Sequence, residues 1–144
     1  MTISFTIPGN HKDPLGNPVP KLKMTGRQRW TDKAQEYAAW KQYVASAFLI
    51  ELQRKGDAVI HEFLKIGVGG IKKPITLATA QRARMDIKIW WVSENHGDPE
   101  NVFGSVADAL FENDKHLDGS FESHHLPPVN AGGRTEVEVK IDEP

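Results

Sequence analysis

The stretch Arg84-Met85-Asp86-Ile87-Lys88-Ile89-Trp90-Trp91-Val92, followed after a short gap by Asp98-Pro99-Glu100-Asn101-Val102-Phe103-Gly104-Ser105-Val106-Ala107-Asp108-Ala109-Leu110, changes its hydrophobic period midway. In the first part Met85, Ile87, Ile89 and Trp91 alternate with Asp86, Lys88 and Trp90. A period of two belongs to a strand with one buried face. In the second part Phe103, Val106, Ala107 and Leu110 recur at spacings of three and four, which places them on one stripe of a helix. Asp98 suits the N-cap and Pro99 the first helical position. Asn95 to Gly97 make the turn between the two elements, and the helix is expected to reach about Glu112.

Working outward, Ile3, Phe5 and Ile7 alternate with polar residues and predict a strand over 2–7, ended by Pro8-Gly9. Residues 9–31 form a long irregular stretch rich in proline, glycine and cations; a loop of this length in a small domain is either functional or disordered. Asp32 is placed to cap a helix over 33–54, in which Tyr37, Trp40, Val44, Phe48 and Leu52 share a stripe and Gly56 provides the stop. Residues 57–82 give no clear period. His116 to Ser123 reads as a strand, Pro127-Pro128 to Gly133 as a turn, and Thr135 to Ile141 as a strand with Val137, Val139 and Ile141 on one face. The predicted architecture is one α+β domain over residues 1–144, with a mixed or antiparallel sheet of about four strands covered on one side by two main helices.

Composition narrows the class. The chain has 144 residues, 39% hydrophobic and 26% charged, a globular balance that excludes wholesale disorder. No apolar run approaches the roughly 20 residues that span a bilayer, so no membrane partner is expected. The absence of cysteine excludes disulfides, thiolate zinc sites and cysteine nucleophiles. Met1 to Phe5 carry no basic leader region, and a cytoplasmic setting is expected. The net charge of −1 conceals an asymmetry. Residues 1–55 hold nine Lys/Arg against four Asp/Glu, whereas residues 92–144 hold three against twelve. Cations for phosphates and carboxylates for a metal suit a metal-dependent nuclease, although a soluble protein with uneven surface charge has the same pattern.

The segment from Asp98 to Leu110, continued by Phe111-Glu112-Asn113-Asp114-Lys115-His116-Leu117, resembles the central signature of the RusA-like Holliday junction resolvases, a family of crossover junction endodeoxyribonucleases. That signature runs Asp, any, Asp, Asn, Leu, any, Lys, three residues, Asp-Ala-Leu, then a pair of aspartates before a strand. Asp98 stands at the first aspartate, Glu100 at the second and Asn101 at the asparagine. Asp108-Ala109-Leu110 matches in spacing, and Asp114 stands at the second member of the pair. Phe5 to Gly9 resemble the family's opening strand, Arg27-Gln28-Arg29 its basic region, and Val137 and Val139 its closing strand. Two positions depart from the pattern: Glu100 replaces an aspartate, and Gly104 replaces a lysine that is functional in the family. Either another cation serves, Lys115 being the nearest in sequence, or activity is reduced or lost.

The resemblance implies a Mg²⁺-dependent endonuclease, with Mn²⁺ as a substitute, that nicks Holliday junctions or other branched DNA symmetrically as a homodimer. Its members are often encoded by phages or prophages. Asp98, Glu100 and Asp114 would then be catalytic metal ligands, with Asn101 and Asp108 supporting. Lys23, Arg27, Arg29 and Lys115 would contact DNA phosphates. The chemistry is consistent with these residue types. Mg²⁺ takes one or two protein carboxylates plus water and substrate oxygens, lowers the pKa of a bound water and steadies the leaving oxygen. Asp108 lies eight residues past Glu100, about 12 Å along a helix, too far for the same ion. Each acid also has an ordinary explanation: Asp98 as a cap, Glu100 as a first-turn acid, Asn113-Asp114 as a helix-ending turn. A branched-DNA-binding relative without cleavage, and an unrelated interaction domain, remain as alternatives. His116, His124 and His125 lack metal-site spacing, and His124 and His125, adjacent on a strand, would point to opposite faces.

Overall fold

The computed structural model describes residues 2–22, 32–55, 83–93, 96–111, 117–125 and 132–141. Within them lie six elements: β1 (Thr2–Pro8), α1 (Asp32–Lys55), β2 (Ala83–Trp91), α2 (Pro99–Leu110), β3 (Asp118–His125) and β4 (Arg134–Ile141). Each strand predicted from period two is present. The strand expected over 116–123 corresponds to β3, which starts at Asp118 and runs on to His125. Asp32 stands inside α1 as its first residue. The unassigned residues 57–82 lie outside the described residues, as does residue 56.

The four strands form one mixed sheet in the order β1-β4-β2-β3. β4 is central and antiparallel to both β1 and β2, while β3 joins the far edge of β2 in parallel. The register explains why one face is apolar. Phe5 opposes Val137, which opposes Ile87, and Ile3 opposes Val139, which opposes Met85. Alternation in each strand therefore stacks into continuous rows across three strands. β3 contributes little to these rows, because beside Met85 and Ile87 it has Gly119, which lacks a side chain, and Phe121, which is exposed. A Cβ on Gly119 would stand 1.8 Å from the Met85 carbonyl oxygen, so a larger residue there would push β3 off β2.

Both helices pack on the apolar face. α1 buries Tyr37, Trp40, Val44, Phe48 and Leu52, the stripe predicted from its spacing, and Phe48 meets Phe5 edge-on with ring centroids 5.5 Å apart. α2 buries Val102, Ser105, Val106, Ala107, Ala109 and Leu110. Its buried stripe is rotated from the predicted one: Phe103 is only half-buried, on the flank facing Phe121 of β3. Between the helices, Trp40 Nε1 donates to Ser105 Oγ at 3.0 Å, satisfying a fully buried indole. The other face of the sheet carries Asp86, Lys88, Glu122, Glu136 and Glu138. Among the described residues no helix is long and apolar enough to cross a membrane.

Candidate functional site

α2 begins beside the end of β2. Asp98 is its N-cap, with extended backbone, and its Oδ1 accepts from the Glu100 amide at 2.9 Å. Pro99 follows, lacking the N–H that would otherwise go unpaired in the first turn. Asp98, Glu100 and Asn101 are all exposed, and the two carboxylates stand within one turn. The positive end of the helix dipole lies beside both acidic side chains. It opposes a cation there, but about half an elementary charge is outweighed by two full negative charges.

This donor set is compatible with Mg²⁺. It consists of hard carboxylate oxygens, exposed, with room for water, and one Asp98 oxygen is already engaged by the helix. Asp114 lies outside the described residues, and among those described no cluster of three or more acids and histidines stands ready for a metal. Asp108 is placed differently from the other acids. It is half-buried between the helices, where Tyr37 donates its hydroxyl proton to Oδ2 at 2.9 Å and Lys41 Nζ stands 3.6 Å away. It joins α1 to α2 and does not face the start of the helix.

The loop after β1 borders the site. Asn10 holds its first turn, accepting from the amides of Lys12 and Asp13 through its side chain. Asn17 then bridges to the end of β2, accepting from the Val92 amide at 2.8 Å and donating to Ser93 Oγ at 3.0 Å. Farther on, the chain runs along α2. Pro20 packs against Gly97, the Lys21 amide donates to the Asn101 carbonyl at 2.7 Å, and Ser105 Oγ donates to the Val19 carbonyl at 2.6 Å. The stem of Lys21 lies over Gly104, where an added Cβ would come within 3.2 Å of its Cδ. A lysine thus covers the one position of α2 where the resemblance calls for a lysine side chain. The expected cations Lys23, Arg27, Arg29 and Lys115 lie outside the described residues.

Two groups at this end of the sheet have no strong sequence signal. Lys21 sits in a loop whose cations look alike in sequence. His96 precedes Gly97-Asp98, and only its nearness to the acids marks it. Its ring lies flat on Trp91, centroids 3.9 Å apart and planes 7° apart. Its Nε2 stands 3.0 Å from Nε2 of His125, the last residue of β3. His124 points to the opposite face, as an adjacent strand residue must, and stacks on Trp90, with the Arg134 guanidinium near the same ring. No protein-family model matches the chain, and no curated protein is significantly similar to it.

Proposed function

We propose that the protein is a Mg²⁺-dependent, structure-selective endodeoxyribonuclease of the RusA-like type that resolves Holliday junctions or other branched DNA. The observation that carries this reading is the start of α2, where Asp98, Glu100 and Asn101 are exposed together beside a loop bearing Lys21. Asp98 and Glu100 would hold the ion, joined by Asp114. Bound there, Mg²⁺ would supply a water of lowered pKa and charge neutralisation at the phosphate. Lys21, whose stem lies over Gly104, would meet a phosphate there, with Lys23, Arg27, Arg29 and Lys115 as further contacts. A homodimer fits the substrate, because paired symmetric nicks in a four-way junction need two identical sites related by a two-fold axis. The proposed setting is the cytoplasm of a bacterium or a phage-infected cell.

The test is cleavage of a synthetic four-way junction with Mg²⁺ and Mn²⁺ side by side. The unmodified protein should nick opposite strands, and Asp98→Asn should not. Asparagine caps a helix as well as aspartate does, so this variant keeps the fold and loses only the charge. An intact junction with the unmodified protein would sink the nuclease reading. A second reading is favoured by Gly104 itself, which offers no cation of its own: a branched-DNA-binding protein that does not cut. It predicts tight junction binding in both EDTA and Mg²⁺ with no product in either.

A further inference from the structure

We propose that His96 and His125 form a binding site for a borderline transition-metal dication such as Zn²⁺ or Ni²⁺, distinct from the carboxylates of α2. The arrangement begins with the ring of His96, whose plane is set by stacking on Trp91 at 3.9 Å. Its Nδ1 lies 2.7 Å from the carbonyl oxygen of Gly97. A carbonyl only accepts, so Nδ1 carries a proton, and in the neutral ring Nε2 then presents its lone pair. That lone pair faces Nε2 of His125 across 3.0 Å. The parallel register of β2 and β3 sets this meeting, because Trp91 pairs with His125 and brings both imidazoles to the same face.

Two imidazole nitrogens bound to one tetrahedral zinc, each about 2.05 Å from it, stand roughly 3.3 Å apart. The observed separation differs from that by a few tenths of an ångström, a change small enough for a modest ring rotation. A backbone carbonyl on the remote N–H is also what orients metal-bound histidines and raises their basicity. Imidazole selects zinc, nickel and copper over magnesium, which prefers oxygen. His125 is exposed, which leaves the pair open to solvent. Among the described residues no third acid or histidine joins it, and water would serve as a further ligand. The competing arrangement is a plain hydrogen bond, with His125 Nε2–H donating to His96.

The experiment uses untagged full-length protein, stripped with chelator, and Zn²⁺ alone as the probe. Competition against a chromophoric chelator should show saturable binding. The affinity should fall by about tenfold or more in His96→Ala and in His125→Ala. His124→Ala, on the opposite face, should bind as the unmodified protein does. Long-range ¹⁵N–¹H spectra of the unmodified protein need no variant. They should show His96 protonated on Nδ1 and its Nε2 signal displaced by Zn²⁺. Equal zinc affinity in all variants, or a His96 signal that Zn²⁺ leaves in place, overturns the proposal. The nuclease reading is independent, since it requires Mg²⁺ at Asp98 and Glu100.

Discussion

Lys21 lies beside Gly104: its amide donates to the Asn101 carbonyl at 2.7 Å, and its Cδ would stand 3.2 Å from a Cβ on residue 104. The loop after β1 thereby places a cation along α2 without any residue of α2 supplying one. Glycine inside a helix costs about 0.5–1 kcal/mol relative to alanine. The atom an alanine methyl would approach most closely belongs to the flexible part of the lysine stem and can shift. Gly104→Ala is therefore expected to stabilise the fold by up to about 1 kcal/mol in urea denaturation. A loss of stability would mean that the Lys21 stem is rigidly packed.

Ser105 is the polar centre of the helix–helix contact. Its hydroxyl accepts from Trp40 Nε1 at 3.0 Å, and the carbonyls of Val19 and Val102 lie within reach as acceptors. Ser105→Ala leaves the buried indole N–H without a partner, at a cost of about 1–3 kcal/mol. Ser105→Thr keeps the hydroxyl but adds a methyl to a fully buried site. Thermal unfolding of the alanine variant checks the first cost; a shift within error would show that the indole finds another acceptor.

Capping and charge separate at Asp98. Asp98→Ala removes the acceptor for the Glu100 amide and should cost about 0.5–2 kcal/mol. Asp98→Asn should stay within a few tenths of a kcal/mol of the unmodified protein, because both side chains cap well. If Mg²⁺ binds here, the unmodified protein gains thermal stability with Mg²⁺ concentration and Asp98→Asn does not. Equal responses of the two proteins would place any bound Mg²⁺ elsewhere.

Asp86 sets an acid limb of stability on the open sheet face. Burial raises its pKa, but hydrogen bonds from Ser120 and Arg84 and the charges of Arg84 and Lys140 outweigh this and hold it below the usual carboxylate range. Glu138 pairs with Asp86 from β4. Because the folded value lies below the unfolded one, the stabilisation is present above the unfolded pKa, about 3.9. It is lost as pH falls through the folded value. A carboxyl NMR titration should place Asp86 lower than in Ser120→Ala, which lacks the 2.7 Å hydrogen bond. Identical midpoints would assign the shift to Arg84 and Lys140 alone.

The secondary structure of the described residues was legible because its signals are local. Alternation in Ile3-Phe5-Ile7, Met85 to Trp91 and Val137-Val139-Ile141 names the buried face of each strand before any partner is known. The stripe from Tyr37 to Leu52 does the same for α1, and Asp98-Pro99 marks the start of α2 by capping chemistry alone. The exposed acids at that start were legible for the same reason. Strand order, the parallel pairing of β3 and the rotation of α2 that leaves Phe103 on its flank were not. They depend on which faces meet, and many pairings bury the same residues. The meeting of His96 with His125, and of Lys21 with Gly104, belongs to this second class. Each joins residues far apart in the chain, and nothing in the local sequence of either partner records the other. Sequence by itself thus determined the buried faces of β1, β2, β4 and α1, and which helix start is acidic. The tertiary structure decided which distant side chains share that end of the sheet, because only packing and register bring them within bonding distance.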